Sequence, residues 1–305
     1  MPKILVTGGA GFIGSHLVDE FIMQNHQVIV VDDLSTGKKE NLNPQAKFYQ
    51  LKIQDRKLSL IFKKEKPAIV CHLAAQMNVR RSIVDPIFDA QSNIIGSLNL
   101  LENCVKYKIK KFIFISSGGA IYGDGVKIPT LETEKEQPLS PYGIAKLALE
   151  KYLYYYSNQH RLPYTILRLA NIYGPRQNYL GEAGVVAVFG HQLISKKSLW
   201  VNGGQQTRDF VYVADVVSAV IKALPKQVQG IFNIGTGKQT NIDNLAKKMI
   251  QISQTKVFIK HRPYVTGEQM KSCLSFNKIK HDLNWQPQYD LNKGLKQTWD
   301  WFKAN

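Results

Sequence analysis

The stretch TGGAGFIGSH, residues 7–16, directly follows the apolar run KILV at residues 3–6. Gly8, Gly11 and Gly14 fit the spacing G-x-x-G-x-x-G. One glycine permits a tight turn, another lets the backbone approach a pyrophosphate, and the third lets a helix pack closely on its strand. The first N–H groups of that helix and the positive end of its dipole attract phosphates. The stretch therefore predicts a strand, a turn and a helix that together hold a dinucleotide.

A second apolar run, QVIVVD at residues 27–32, ends in Asp32. An acid at this place accepts hydrogen bonds from the adenosine ribose, and its charge repels a 2′-phosphate. Lys38 and Lys39 lie beyond the predicted strand end and are expected to be exposed. The sequence therefore predicts NAD rather than NADP as the cofactor.

Short apolar runs alternate with helical patterns through the first half of the chain. Because the runs are nearly continuous and rich in β-branched residues, they suit strands covered on both faces. A helix is predicted over residues 86–106, with Ile87, Ile94, Leu98, Leu101 and Val105 on one stripe. The predicted strands are 3–7, 27–32, 46–51, 68–73, 111–117 and 164–169.

The alternation of strands and helices predicts an α/β fold with a doubly wound parallel sheet of the Rossmann type. We expect residues 1–170 to form the NAD-binding domain. After residue 170, long polar, glycine-rich segments predict a smaller lobe. Residues 171–305 are expected to serve mostly the substrate, with some segments returning to the first domain.

The overall composition is typical of a globular protein. The chain has 305 residues, of which 44% are hydrophobic, and a net charge of +17. No apolar stretch approaches the roughly 20 residues that span a bilayer, and no signal peptide is evident, so a cytoplasmic location is expected. The lysines are dispersed, so the charge predicts a solvated surface and no nucleic-acid partner. Three scattered cysteines indicate neither a disulfide framework nor a metal site.

The segment SPYGIAK, residues 140–146, combines a tyrosine and a lysine with a helix start. Ser140 is a plausible N-cap, and Pro141 suits the first helical position. Tyr142 and Lys146 are then four residues apart, on one helix face. An ammonium group near a phenol favours the phenolate and is expected to lower its pKa. Such a phenolate can remove a hydroxyl proton while hydride leaves the same carbon.

Several motifs in sequence order resemble the extended short-chain dehydrogenases/reductases. Within them, the resemblance is to the NAD-dependent epimerase/dehydratase family and its UDP-glucose 4-epimerases, from about residue 3 to residue 302. The motifs are TGGAGFIG (7–14), HLAA (72–75), SSGGAIYGD (116–124), YGIAK (142–146), NIYGPRQ (171–177) and TRDFVYVADV (207–216).

This resemblance implies that Tyr142 is the acid/base and that Lys146 binds the nicotinamide ribose. Family members carry a serine or threonine where this chain has Gly118, so Ser117, with Ser116 behind it, is expected to supply the hydroxyl. In 4,6-dehydratases an Asp-Glu pair stands at the next two positions. Gly119 and Ala120 cannot transfer protons, which argues against dehydration.

The resemblance also implies which residues line the cofactor. Asn93 is expected near NAD, with a satisfied buried amide as the alternative. The usual Asp-Ile pair near adenine is Lys52 and Ile53 here, while Asp55 is expected to cap the next helix. The expected cofactor residues are Gly8, Gly11, Phe12, Ile13, Gly14, Asp32, Ile53, Leu73, Ala74, Ala75, Asn93, Tyr142 and Lys146.

For the UDP-sugar substrate, the resemblance assigns Asn171 and Arg208 to the diphosphate and Glu268 to the uridine ribose. A second family arginine is replaced by Val265, and Arg262 is the candidate substitute. Ser272 is small where bulky aromatic residues exclude N-acetyl groups, so UDP-N-acetylhexosamines are expected to fit.

The expected function is NAD-dependent 4-epimerisation of a UDP-hexose through a 4-keto sugar. The alternatives are another nucleotide sugar, such as a UDP-uronate held by Arg80 or Arg81, a silent NAD-binding scaffold, and a nucleic-acid-binding protein. The resemblance also implies a homodimer formed through residues 86–106 and 141–158.

Overall fold

The structure, a computed structural model, describes residues 2–180, 184–264 and 269–305. The strands are β1 (Lys3–Thr7), β2 (Gln27–Asp32), β3 (Lys47–Gln50), β4 (Ile69–His72), β5 (Lys111–Ser117), β6 (Tyr164–Leu169), β7 (Asn171–Tyr173), β8 (Leu199–Asn202), β9 (Thr207–Arg208), β10 (Phe210–Tyr212), β11 (Gly230–Ile234), β12 (Thr240–Asn241) and β13 (Ile259–Arg262). The α-helices are α1 (Phe12–Met23), α2 (Leu58–Glu65), α3 (Val79–Val84), α4 (Pro86–Ala90), α5 (Gly96–Lys106), α6 (Gly118–Ile121), α7 (Pro141–His160), α8 (Val185–Ile194), α9 (Val213–Ala223), α10 (Ile242–Ser253), α11 (Asn277–Leu283) and α12 (Leu291–Ala304).

Among the described residues, a seven-stranded parallel sheet in the order β11-β6-β5-β4-β1-β2-β3 forms the centre. The chain winds outward in both directions from β1, so the strand order reverses between β1 and β4. In such sheets, ligands bind at the carboxyl ends of the strands beside this reversal. The prediction of a doubly wound parallel sheet is confirmed.

The predicted strands agree with the observed ones to within one residue at either end, and β1, β2, β5 and β6 agree fully. The strand β11 was not predicted. It pairs with β6 and adds residues 230–234 to the edge of the first domain's sheet. The later part of the chain thus returns to the central sheet.

The segment 86–106 is helical throughout, as predicted, but residues 91–95 form a π-helical turn between α4 and α5. Such turns widen a helix locally and often mark functional sites. The predicted apolar stripe holds only in part. Leu101 is buried, whereas Ile87 is 70% exposed.

Each face of the sheet carries its own apolar layer, because side chains alternate along a strand. Ile4 and Val6 face α1 and α9, while Leu5 faces the layer formed by α2, α5 and α7. A third cluster lies in the later part of the chain, where α8, α10 and α12 pack around β8 and β10. Three two-stranded pairings, β7 with β10, β9 with β12 and β8 with β13, belong to this part of the described chain.

Candidate active site

The glycine-rich turn connects β1 to α1 at the strand reversal. Gly8 has a φ of +73°, and a β-carbon there would lie 2.7 Å from the Ala74 nitrogen. A β-carbon at Gly14 would collide with the Gly8 carbonyl oxygen. Gly11 occupies the N-cap of α1, and no side chain caps this helix end. The turn therefore leaves backbone N–H groups open at a helix N-terminus, an arrangement that suits a pyrophosphate.

Asp32 holds the turn from the end of β2. Its carboxylate accepts hydrogen bonds from Ala10 N at 3.0 Å and Leu34 N at 2.8 Å. Burial raises the pKa of Asp32, and the two backbone donors oppose that rise. Asp32 thus shapes the cofactor turn and lies where a ribose is expected.

The remaining residues expected at the cofactor lie around this reversal. Phe12 and Ile13 begin α1 and pack against the apolar cluster of the later lobe. Ile53 is buried, and its carbonyl accepts a 2.7 Å hydrogen bond from Asn99 Nδ2. The expectation that Asp55 caps α2 was wrong: the N-cap is Lys57, no side chain caps this helix, and the Asp55 carboxylate accepts from Lys57 N in the preceding turn at 2.8 Å.

A chain of hydrogen bonds crosses the site behind Leu73, Ala74 and Ala75. The Ser97 hydroxyl donates to the Asn93 carbonyl at 2.6 Å, so at the 2.8 Å contact His72 Nε2 must donate to Ser97. Burial lowers the pKa of His72 to about 3, which keeps the ring neutral. His72 Nδ1 therefore accepts from Thr7 Oγ1 at 2.7 Å. In turn, Thr7 Oγ1 accepts from the N–H groups of Leu73 and Ala74.

Asn93 lies in the π-helical turn with its amide fully engaged. Its Oδ1 accepts from Gln76 N at 2.8 Å, and its Nδ2 donates to Gln76 O and to Asp89 Oδ1. This agrees with the alternative of a satisfied buried amide. Asn93 nevertheless lines a small cavity together with Ala74, Ala75 and Lys146.

Tyr142 and Lys146 lie on the first two turns of α7. The Ser140 hydroxyl accepts from Gly143 N at 3.1 Å, and Pro141 occupies the first turn, as expected. Lys146 Nζ donates to the Ile115 carbonyl at 2.9 Å and lies 5.7 Å from the centre of the Tyr142 ring. Helix α7 thus holds a buried ammonium group beside a partly exposed phenol.

Burial dominates the protonation of this pair. It lowers the pKa of Lys146 to about 8, although Glu150 and Asp89 oppose the shift. Burial also raises the pKa of Tyr142 above its ordinary value, and the charge of Asp89 adds to that rise. We expected Lys146 to lower the phenol pKa. In the protein alone the net shift is upward, because desolvation and the Asp89 charge raise the pKa of Tyr142 more than the Ser117 hydrogen bond lowers it.

The two candidate serines end β5 and have different partners. The Ser117 side chain interacts with the Tyr142 phenol and lowers its pKa, against the larger effect of burial. The Ser116 hydroxyl is buried and donates to Glu150 Oε1 at 2.6 Å. Glu150 in turn binds the fully buried Arg168 through both carboxylate oxygens. Of the two serines, only Ser117 interacts with Tyr142. Ser116 instead belongs to the buried network of Glu150 and Arg168 at the end of β5.

Asn171 and Arg208 come together through the pairing of β7 with β10. Asn171 N donates to Asp209 O at 2.9 Å, which places the exposed Asn171 beside the end of β9. Arg208 Nη1 donates to the Thr207 carbonyl at 2.9 Å. Both side chains therefore emerge from one small region of the later lobe.

The other expected substrate residues are more dispersed. Ser272 is buried, and its N–H donates to Thr207 O at 3.2 Å, next to Arg208. Arg262 is exposed, and its guanidinium group lies 4.2 Å from the centre of the Trp200 ring. Glu268 and Val265 lie outside the described residues.

Asp209 was not singled out from the sequence, yet it joins three segments of this lobe. It is fully buried, and its carboxylate accepts from Thr236 N at 3.0 Å and Leu274 N at 3.2 Å, and also from Gly237 N. One buried carboxylate therefore fixes the loop after β11 and the segment after Ser272 beside Arg208. Its position directly after Arg208 was the only available signal.

A family model, a relative in sequence and a solved structure all indicate the same protein family. The family model described as the NAD dependent epimerase/dehydratase family matches residues 4–235. The UDP-glucose 4-epimerase of Mycolicibacterium smegmatis is 38% identical over 99% of this chain and 98% of its own. The solved structure of the UDP-glucose 4-epimerase of Thermotoga maritima with UDP-glucose is 48% identical, with a TM-score of 0.96 and 99% of both chains covered.

Relatives with other substrates or reactions also match. The UDP-N-acetylglucosamine 4-epimerase of Methanobrevibacter ruminantium, solved with UDP-N-acetylmuramic acid, is 32% identical, with a TM-score of 0.94 and coverage of 99% of this chain and 98% of that one. A human dTDP-D-glucose 4,6-dehydratase is 33% identical over 99% of this chain and 90% of its own. The family thus includes both epimerases and dehydratases.

In the described ranges, no helix is long and apolar enough to cross a membrane. The glycine turn has no room for side chains, and its helix N-terminus is open, as a dinucleotide requires. The family match covers this turn and the Tyr142–Lys146 helix in one span. The chain is an extended short-chain dehydrogenase/reductase that belongs to the NAD-dependent epimerase/dehydratase family, and its cofactor is NAD.

Proposed function

We propose that this protein is an NAD-dependent 4-epimerase that interconverts UDP-galactose and UDP-glucose. The observation that carries the proposal is the grouping of Tyr142, Lys146 and Ser117. Positions 119 and 120, where a dehydratase has acidic residues, are glycine and alanine in this chain. A dehydratase needs acid and base groups there to remove water across adjacent carbons. The identity to UDP-glucose 4-epimerases over nearly the whole chain supports the same reaction.

In this proposal, Tyr142 removes the proton of the sugar's 4-hydroxyl group, with Ser117 sharing that proton. When bound, NAD⁺ supplies the hydride acceptor and a positive charge that favours the phenolate. Lys146, held by the Ile115 carbonyl, supplies a second positive charge beside the phenol. The resulting 4-keto sugar would then rotate to present its opposite face, the hydride would return to carbon 4 from that side, and Tyr142 would return its proton to the same oxygen.

The remaining site residues are proposed to bind the nucleotide. Asn171 and Arg208 would hold the diphosphate, since an arginine matches phosphate oxygens in a bidentate way. Residues 171–305 would thus form most of the substrate lobe, and Glu268 and Arg262 are proposed for its nucleotide end. A uronate substrate is less well supported, because Arg81 lies on the exposed face of α3 with its guanidinium group 4.0 Å from the centre of the Phe88 ring.

The test is to incubate the purified protein with UDP-galactose and, separately, with UDP-glucose, with and without added NAD⁺. We expect both reactions to reach the same product ratio without net formation of reduced cofactor. A product lighter than the substrate by one water would instead indicate dehydration. No interconversion in a protein that binds NAD would reject the UDP-hexose assignment.

We further propose that the sugar pocket admits N-acetyl groups, because Ser272 is small and lies next to Arg208's strand. The UDP-N-acetylglucosamine 4-epimerase relative supports this. Ser272→Tyr is expected to reduce kcat/KM for UDP-N-acetylglucosamine at least about tenfold more than for UDP-galactose, since added bulk selectively excludes the larger sugar. Ser272→Ala is the control and is expected to keep both activities. No turnover of UDP-N-acetylglucosamine by the unchanged protein would contradict the proposal.

A homodimer is proposed through the helices within residues 86–106 and 141–158. Exposed apolar side chains on these helices and on the adjoining α3 include Ile83, Val84, Ile87, Ile95, Ile144 and Tyr155. An apolar patch of this kind marks a protein interface. Ile87→Lys is expected to shift the protein from dimer to monomer in light scattering after gel filtration. Leu60→Lys, an equally exposed position on α2, should leave the dimer intact, and a monomeric unchanged protein would contradict the proposal.

The expected cytoplasmic location stays a prediction. Fractionation of the source cells, followed by detection of the protein, would test it.

A further inference from the structure

Gly118 lies against a leucine from a distant part of the chain. A β-carbon at position 118 would lie 2.5 Å from Leu274 Cδ1 and 3.0 Å from Leu274 Cδ2. At the next position, Gly119, a β-carbon would meet no atom within 4 Å. Of these two positions, 118 can therefore accept a side chain only if Leu274 shifts, whereas 119 has open space.

Leu274 is held in place on several sides. It is 1% exposed, and its N–H donates to Asp209 Oδ2 at 3.2 Å. On both sides of it the backbone is tied to Thr130, which donates to Cys273 O at 2.8 Å and accepts from Ser275 N at 2.9 Å. Because both the backbone and the surroundings are fixed, the leucine has little freedom to make room for another side chain.

Position 118 adjoins the hydroxyl group that reaches the catalytic tyrosine. Ser117 precedes Gly118 at the start of α6, and its side chain is the one from this turn that interacts with Tyr142. We propose that Leu274 is a positioning residue that assigns the second proton-sharing hydroxyl of the reaction to Ser117, because it fills the space beside Gly118. This inference rests on the proposed epimerase function.

In the proposed proton transfer, Ser117 relays the proton from the substrate to Tyr142, and atoms and charge are conserved. The substrate's 4-hydroxyl gives its proton to Ser117 Oγ as the Ser117 hydroxyl proton passes to the Tyr142 phenolate. One O–H bond breaks and one forms at each step, so the net change is the movement of one proton to Tyr142. Hydride leaves the same sugar carbon for the NAD that the family uses.

The first experiment measures the steady-state kinetics of Ser117 variants. Ser117→Ala is expected to lower kcat by about 100-fold, because it removes a proton-transfer group, with KM for UDP-galactose changed by less than about threefold. Ser117→Thr keeps the hydroxyl and is expected to retain most of the activity. An unchanged kcat for Ser117→Ala would overturn the inference.

The second experiment moves the hydroxyl group by one position. Ser117→Ala/Gly118→Ser is expected to remain inactive, whereas adding Leu274→Ala to this pair is expected to recover at least about tenfold in kcat. Ser117→Ala/Leu274→Ala, which lacks a hydroxyl at both positions, is the control and should stay inactive. Full activity of Ser117→Ala/Gly118→Ser with Leu274 intact would show that Leu274 does not determine which residue supplies the hydroxyl group.

A third measurement does not depend on activity. Gly118→Ser is expected to lower the thermal midpoint by about 5 °C or more, whereas Gly119→Ser should not lower it. Leu274→Val is a milder truncation that makes room beside position 118. The double variant Gly118→Ser/Leu274→Val should therefore lose less in thermal midpoint than the sum of the losses of the two single variants. Strict additivity of the losses in thermal midpoint would refute the steric contact.

Failure of the unchanged protein to interconvert the two UDP-hexoses would reject the proposed function, whereas full activity of Ser117→Ala would reject only this inference.

Discussion

Tyr142→Phe is expected to lower kcat for UDP-galactose by about 1,000-fold, because it removes the group that we propose as the acid/base for the sugar's 4-hydroxyl group. Tyr142 is partly buried at the start of α7, and Lys146 Nζ lies 5.7 Å from the centre of its ring. KM is expected to change little, since the substitution keeps the ring and removes one oxygen. The measurement is the initial rate of UDP-glucose formation from UDP-galactose.

Tyr154→Phe provides the matched control, since it makes the same chemical change on the same helix at an exposed position. It is expected to leave kcat unchanged. Both variants should bind NAD as the unchanged protein does, which titration calorimetry would verify. Retention of more than a tenth of the original kcat by Tyr142→Phe would assign the proton transfer to another group.

The balance of charges around Tyr142 explains why the protein alone does not ionise the phenol. Burial and the nearby Asp89 carboxylate both raise its pKa, while Ser117 provides the opposing hydrogen bond. Lys146 is itself desolvated, with a pKa of about 8, and donates to the Ile115 carbonyl. Without a cofactor, these contributions favour the neutral phenol. In the proposed reaction, the positive charge of bound NAD⁺ would shift this balance towards the phenolate.

Much of the site could be predicted because its determinants are local in sequence. Gly8, Gly11 and Gly14 act within a single turn, and Tyr142 and Lys146 are related by helix geometry alone. The alternating strands up to residue 169 were also predicted, because buried parallel strands have a continuous apolar pattern. In each of these cases the physical constraint acts between residues that are close in the chain.

The features that were missed depend on contacts between distant segments. Asp209 binds Leu274 N across 65 residues, and Leu274 meets Gly118 across more than twice that separation. No local pattern shows that a glycine lacks a side chain because a distant leucine fills the space. The strand at residues 230–234 was missed for a similar reason, because its place at the sheet edge is set by pairing with β6.

Gly14→Ala is expected to weaken NAD binding by at least about 100-fold, which corresponds to about 2.7 kcal/mol. A β-carbon at this position would collide with the Gly8 carbonyl oxygen and come within 2.9 Å of Gly9 Cα, both backbone atoms that cannot rotate away. The helix α1 must then move away from the turn, so its open N–H groups no longer lie where a pyrophosphate can accept from them. Calorimetric titration with NAD⁺ measures the effect, and epimerase activity should fall in parallel at limiting NAD⁺.

Gly11→Ala provides a graded comparison within the same turn. Its β-carbon would lie 3.2 Å from the Gly8 oxygen, a tight contact that a shift of a few tenths of an ångström relieves. We therefore expect Gly11→Ala to weaken NAD binding clearly less than Gly14→Ala, although Gly11 is nearer to the open helix end. Thermal unfolding without cofactor separates loss of the fold from loss of binding. Equal affinities for NAD⁺ in Gly14→Ala and the unchanged protein would show that close packing of α1 on the turn does not position the phosphate site.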